Sequence, residues 1–323
     1  MRSKRDSEEL FDRIIAIGGP TGSGKSSLAM ELARRTGGEI VSCDSMQIYR
    51  GLDVGTAKPS AEDTLAVRHW LIDIKEPYER YSVADYVDDA RKAISDINSR
   101  GLTAIVCGGT GLYMTSLLSG TVFSSSASQD QELRDEMNAF VEMYGTAPLL
   151  REIAQADPAY AQRLNANDVK RIIRAVEIIR SGSTPSELIE ASRGDGYPGA
   201  VRILVSCSTR EALYRRIEAR CDAMMKDGIV DEARYVYENR DSFTTACAAI
   251  GYKEFFGYFE GTRSLEDCLS DLKKATRHYA KRQLTWFRRE KDFTTLFSDI
   301  TDTGRMADQA IGLADWSLST THD

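Results

Sequence analysis

Residues 13 to 36 read RIIAIGGPTGSGKSSLAMELARRT, and their reading decides the fold. Ile14 to Ile17 form a short apolar run of strand length, and the residues from Ser26 to Thr36 read as a helix closed by Gly37 and Gly38. Between them Gly19, four residues, Gly24, Lys25 and Ser26 satisfy the pattern GxxxxGK[ST], in the strand-to-helix context that gives the pattern meaning. Glycines let successive backbone N–H groups turn toward phosphate oxygens, and the helix N-terminus adds partial positive charge. The candidate diphosphate-binding residues are therefore Gly19, Pro20, Thr21, Gly22, Ser23, Gly24, Lys25 and Ser26. Lys25 would neutralise the outer phosphate and Ser26 would hold Mg²⁺.

Outward from this loop the chain alternates between strands and helices. EIVSCDS (39–45) is a second strand ending on Asp44, a helix is predicted from Val83 to Ser99, and TAIVCGGTG (103–111) is a third strand capped by glycines. A further strand, AVRILVSCS, follows at 200–208. Such alternation predicts an α/β fold, a core like that of the P-loop nucleoside triphosphate hydrolases with a parallel sheet and ligands at the carboxyl ends of its strands. Residues 120–199 carry a purely helical pattern bracketed by SSSAS and RGDGYPG, which predicts an inserted all-helical subdomain. The expected organisation is a charged tail (1–12), the first part of the core (13–119), the insertion (120–199), the second part of the core (200–299) and a Ser-, Thr- and Asp-containing tail (300–323) expected to be partly disordered.

Composition narrows the setting. With 42% apolar and 28% charged residues the chain is globular. Its six cysteines form no CxxC pair and no secretory signal precedes them, so they are expected as reduced thiols in the cytoplasm. No apolar run approaches the roughly 18 residues of a membrane span. The absence of a long heptad or an exposed apolar stripe leads us to expect a monomer. A net charge of −7 argues against indiscriminate nucleic-acid binding, yet residues 272–291, LKKATRHYAKRQLTWFRREK, hold eight Lys or Arg against one Glu. That asymmetry points to a phosphate-bearing partner. The competing reading is a solvated helix whose Leu272, Tyr279, Gln283, Trp286 and Phe287 form a core stripe.

The candidate active site is notable for a missing acid. ATP-hydrolysing enzymes with this loop place a carboxylate at the end of a second apolar strand to hold Mg²⁺, but TAIVCGGTG ends in Cys107, Gly108, Gly109 and Thr110. The carboxylate stands instead at Asp44. An acid beside a bound diphosphate is repelled by it unless a cation intervenes, so its placement suggests a base acting on an acceptor group. A strand-end aspartate that merely caps a turn is the alternative.

Taken in order, GPTGSGKSSLAMELA, DSMQIYRGLDVGTAKP, GGTGLYMTSLLSG, NDVKRIIRAVEI, AIGYKE and YAKRQLTWFRR resemble the tRNA dimethylallyltransferase (tRNA isopentenyltransferase) family of bacterial type, from about Ile14 to Asp292. The resemblance implies transfer of a dimethylallyl group from dimethylallyl diphosphate to the exocyclic amine of the adenine 3′ to the anticodon, in tRNAs reading codons that begin with U. It implies Asp44 as the base, with Thr21 and Arg220 as donors to the departing diphosphate. For Arg220 the spacing by itself favours a surface ion pair with Glu218 or Asp222. The resemblance further implies contacts to the tRNA anticodon stem-loop from Asp44, Ser45, Met46 and Gln47, from Thr110 beside the reacting base, from Lys170, Arg171, Ile172, Ile173 and Arg174, and from Gly251, Tyr252 and Lys253. Arg171 and Arg174 stand three apart on one helical face, suited to following phosphates, and Tyr252 could stack on a base or lie in the core.

The chain departs from the family pattern at His69 and Trp70 before LID, where two basic or His residues are frequent, and at Ala248, where Arg is frequent. It carries no Cys/His zinc module of the kind some eukaryotic relatives append. Three other readings remain at this point: a P-loop kinase of a small metabolite or nucleotide, an enzyme that prenylates free adenine nucleotides, and an RNA-binding protein without covalent chemistry. The helical insertion and the basic segment favour tRNA as acceptor.

Overall fold

The structure is a computed structural model and describes residues 13–123, 131–243 and 245–319. Six parallel strands are β1 (Ile14–Gly18), β2 (Glu39–Ser42), β3 (His69–Trp70), β4 (Ala104–Gly108), β5 (Val201–Ser206) and β6 (Thr294–Phe297), ordered β3-β2-β4-β1-β5-β6. In the first stretch of core the helices are α1 (Lys25–Thr36), α2 (Ala61–Ala66), α3 (Val83–Ser99) and α4 (Gly111–Leu118). The insertion holds α5 (Gln131–Tyr144), α6 (Ala147–Ala156), α7 (Pro158–Ala161), α8 (Val169–Arg180) and α9 (Pro185–Ala191). Then follow α10 (Arg210–Lys226), α11 (Ile229–Glu238), α12 (Phe256–Phe259), α13 (Leu265–Phe287) and α14 (Thr303–Ser319).

The sheet is buried on both faces, as parallel sheets are. Along β1 the side chains alternate: Ile14 and Ala16 pack with Tyr86, Ala90 and Ile94 of α3, while Ile15 and Ile17 pack with Leu28 and Leu32 of α1. Helix α3 starts where a capping box dictates, with Ser82 accepting the Asp85 N–H and Asp85 accepting the Ser82 N–H. A third apolar cluster joins α10, α11 and α13 to Tyr49, Tyr252 and Phe255.

Two compact units are recognised, Met1–Leu118 with Tyr197–Asp323, and Ser119–Gly196. The second has its own core, in which Ile172, Ile173, Ala175 and Val176 of α8 meet Leu149 and Ile153 of α6. Burial acts to raise the Glu177 carboxyl in this unit, but hydrogen bonds from Arg134 and Arg174 outweigh it and hold the carboxyl below its ordinary value.

Two expectations are corrected here. The stretch from 300 was expected to be partly disordered, yet within it α14 lays Met306, Ala307 and Ala310 on α1 and the sheet, all buried, and Asp308 pairs with Arg35 at 2.7 Å. Small apolar residues gave that stretch little periodic signal, and the packing partner supplies the order. The strands β3 and β6 were not read at all. They are the edge strands, and β6 buries only Leu296, so no apolar run marks it. The tail 1–12 and the SSSAS segment lie outside the described residues.

Candidate active site

The parallel register brings three loops to one edge of the sheet. Gly18 of β1 stands beside Gly108 of β4, and Ser42 of β2 beside Cys107 of β4, so the phosphate loop, Asp44 and Thr110 all emerge from adjacent strand ends. The close approach is enforced at Gly108, where a Cβ would come within 2.0 Å of the Cys43 carbonyl oxygen. Gly24 caps α1 in a left-handed conformation (φ 86°), which a side chain would strain.

Lys25 is half-buried at the start of α1, with Nζ 3.4 Å from the Pro20 carbonyl. Burial pushes its pKa down and Arg220 adds to this, while Cys107 and Asp44 oppose it. Arg220 is likewise lowered, chiefly by burial, with Asp44 acting the other way. The ion pairs that spacing suggested for Arg220 are not formed. Glu218 pairs with Arg277 at 2.6 Å and Asp222 with Lys273 at 2.6 Å, both on α13. Arg220 makes no ion pair among the described residues and opens on a cavity of about 1090 Å³ lined also by Ser26, Ser42, Gln47, Lys58 and Cys107. Two desolvated cations within electrostatic reach of each other are ready for an anion.

Asp44 follows β2. Its Oδ1 accepts the Met46 N–H at 2.9 Å, so it does cap a turn, and it also lies within electrostatic reach of Lys25 and Arg220. The turn is tied to the end of β4: Ser45 N–H donates to Thr110 Oγ1 at 3.0 Å and Thr110 N–H to the Cys43 carbonyl at 3.2 Å. Tyr279 of α13 joins this neighbourhood; burial first, then the Asp44 charge, push its phenol up, with a hydrogen bond to Thr110 opposing. Gln47 is engaged within the chain, accepting from Ser42 Oγ at 2.9 Å and donating to the Thr56 and Ala57 carbonyls at 3.2 and 3.1 Å.

Ser26 is exposed at the cavity wall. A single serine hydroxyl beside a phosphate cradle fits Mg²⁺, which keeps several waters and takes its remaining oxygens from substrate phosphates. Among the described residues no group of three or more His, Cys, Asp or Glu forms a metal site, and the six cysteines are free.

Three of the positions expected to contact tRNA have buried side chains. Tyr252 cannot stack on a base: it is fully buried, Gly55 covers its ring so closely that a Cβ there would come within 2.6 Å, and its hydroxyl donates to Glu232 at 2.8 Å. Ile172 and Ile173 point into the core of the helical unit, where each stabilises by about 1.5–3 kcal/mol through burial. Exposing them to RNA would forfeit that. Their neighbours Lys170 and Arg171 are exposed; Arg171 pairs with Asp168 at 3.2 Å and Arg174 with Glu177 at 2.9 Å. Lys253 is exposed, while Gly251 N–H donates to Glu254 at 2.9 Å.

The departures have local reasons. Trp70 Nε1 donates to Glu39 at 2.7 Å, a carboxylate also held by Arg100, and His69 Nδ1–H donates to the Val67 carbonyl at 2.8 Å, so both residues serve the sheet edge. Ala248 is exposed at the end of a 3₁₀ turn and offers no hydrogen bond from its methyl group.

Sequence reasoning missed Glu232. Its Oε2 accepts the N–H groups of Asp53 (2.7 Å) and Val54 (2.9 Å), and its Oε1 those of Gly55 (2.8 Å) and the Tyr252 hydroxyl, which fastens the loop that carries Lys58 into the cavity wall. Replacing Glu232 with Ala leaves these donors unpaired and is expected to cost about 3 kcal/mol, read as a lower urea midpoint with unchanged slope. An unaltered midpoint would mean that the staple is dispensable.

A parallel sheet with a glycine-rich GxxxxGKS loop after β1, and two cations and a carboxylate near the same strand ends, defines a P-loop-like α/β protein. The family profile described as IPP transferase matches residues 47–290. The chain is 40% identical to the tRNA dimethylallyltransferase of Bacillus cytotoxicus over 302 residues, 93% of this chain and 94% of that one, and 43% identical to that of Geobacter metallireducens over 287 residues, covering 88% and 92%. The crystal structure of the full-length tRNA isopentenylpyrophosphate transferase from Bacillus halodurans matches with a TM-score of 0.71 at 37% identity, covering 97% of this chain and all of that one. A eukaryotic dimethylallyltransferase acting on tRNA matches with a TM-score of 0.79 at 28% identity, covering 95% and 79%. The chain belongs to the IPP transferase family, and it is a transferase.

Proposed function

We propose that the protein transfers the dimethylallyl group of dimethylallyl diphosphate to the exocyclic amine of the adenine 3′ to the anticodon, in tRNAs reading codons that begin with U, and that it does so in the cytoplasm as a monomer. Among the described residues no helix is long and apolar enough to cross a membrane. The observation that carries the reading is the placement of Asp44 at the strand end beside Lys25 and Arg220, a base facing a leaving-group cradle, with no acid where a phosphoryl-transferring enzyme would keep one.

In this reading the carbon–oxygen bond to the diphosphate breaks as a carbon–nitrogen bond to the adenine forms. The diphosphate departs with the bonding electron pair, and the amine proton goes to an Asp44 carboxylate oxygen. The exocyclic amine is a weak nucleophile because its lone pair is delocalised into the ring, so a positioned base and exclusion of water are required. Charge growing on the diphosphate is met by Lys25, Arg220, the Thr21 hydroxyl and those N–H groups of the phosphate loop that are not engaged within the chain, donors in place before the reaction starts. Mg²⁺ at Ser26 would supply further neutralisation of that charge. The helical unit, with Lys170, Arg171 and Arg174, and the basic face of α13, where His278, Lys281 and Arg282 line a groove of about 440 Å³ with Arg289 just beyond the helix, would hold the tRNA backbone while the adenine is unstacked.

The test is incubation with dimethylallyl diphosphate, Mg²⁺ and unmodified tRNA, followed by digestion and mass analysis of the nucleosides. A five-carbon unit on adenosine beside the anticodon is expected. Modification of free AMP instead, or consumption of ATP, would overturn the reading.

A further inference from the structure

Helix α13 meets the loops of the site with Gln283, a polar side chain only 5% exposed. Both ends of its amide are engaged: Oε1 accepts the Thr21 N–H at 2.9 Å, and Nε2 donates to the Gly109 carbonyl at 2.9 Å. Position 109 has no room for a side chain, since a Cβ there would come within 2.1 Å of Nε2. A buried amide satisfied at both ends resists movement, because a shift leaves backbone groups unpaired away from water. Thr21 belongs to the phosphate loop. Gly109 precedes Thr110, whose Oγ1 accepts the Ser45 N–H next to Asp44. One side chain therefore links the diphosphate cradle to the turn that carries the carboxylate. Backbone N–H groups of such a loop ordinarily face the ligand, but that of Thr21 faces Gln283, which leaves Thr21 its hydroxyl for the diphosphate.

We infer that Gln283 is a positioning residue that sets the separation of the diphosphate cradle from Asp44, an inference that rests on the function proposed above. Bond making and bond breaking occur between those two loops, and a misplacement of about 1 Å costs on the order of a hundredfold in rate. Loss of the amide lets each loop keep its own ligand while their mutual register loosens. The effect therefore falls on the chemical step and spares binding.

Gln283→Leu removes both hydrogen bonds at similar volume. Gln283→Glu keeps an acceptor for Thr21 but sets an oxygen against the Gly109 carbonyl. Both are compared with the unsubstituted protein in single-turnover transfer from dimethylallyl diphosphate to unmodified tRNA, together with inhibition by inorganic diphosphate, tRNA affinity and the folded fraction by circular dichroism. The expected result is a single-turnover rate per folded molecule lowered about a hundredfold, with diphosphate inhibition and tRNA affinity nearly unchanged. If the Leu variant fails to fold, the Glu variant, of the same size as Gln, decides. A normal rate per folded molecule overturns the inference, as does a loss confined to tRNA or diphosphate binding. Absence of transfer by the unsubstituted protein overturns the functional reading instead, so the two failures are distinguishable.

Discussion

Replacing Asp44 with Asn is expected to lower the rate of transfer to tRNA by about a thousandfold, within the range that general-base catalysis supplies, with tRNA affinity almost untouched. Asn is the informative substitution because its oxygen can still accept the Met46 N–H, so the turn is preserved and only the charge and basicity are lost. The measurement is a single-turnover rate at saturating donor, paired with a tRNA binding isotherm. An Asn variant that transfers at the normal rate would reduce Asp44 to a turn-capping residue, the alternative its strand-end position always allowed. A variant that loses tRNA affinity in proportion to its rate would make it a docking contact.

The second large effect is expected at Arg220. Its guanidinium is partly desolvated, has no ion-pair partner among the described residues and shares its surroundings with Lys25. Placing a diphosphate there supplies the missing counter-charge, most strongly when the leaving group carries its full charge. Arg220→Gln is therefore expected to reduce kcat by roughly 10²- to 10³-fold, the cost of losing one preorganised donor to a developing anion. Arg220→Lys should recover only part of this, because an ammonium lacks the planar fork of donors. The check is the split between kcat and the KM for dimethylallyl diphosphate. A raised KM with normal kcat would assign Arg220 to ground-state binding and contradict the role proposed for it in departure of the leaving group.

These expectations differ in how far the chain announced them. The phosphate loop was legible because it is local: a strand, a turn and a helix whose residues interact with their immediate neighbours. Asp44 was legible as a strand-end acid, and the absent acid after β4 was equally visible. Arg220 was ambiguous, since Glu218 and Asp222 lie within its own helix. Residues two apart on a helix do not face each other, so the side that carries both acids meets Arg277 and Lys273 of α13 while Arg220 lines the cavity. That the side chains of Tyr252, Ile172 and Ile173 are buried was not legible, for the converse reason. A motif names positions near a ligand, but which of them face it depends on what covers them, Gly55 in one case and the helical core in the other.

By itself the sequence determined the α/β class, four of the six strands, the helical insertion, the cradle from Gly19 to Ser26 and the acid at Asp44, all features carried by short-range patterns of apolar residues, glycines and charge. Only the tertiary structure decided that α14 is a packed helix, that Arg220 is free of its helical neighbours, that Glu232 staples a loop 177 to 179 residues away and that Gln283 joins a loop 262 residues away to the end of β4. The physical reason is that a hydrogen bond or an ion pair depends on separation in space, and local pattern carries no record of which distant backbone group the fold will bring within 3 Å.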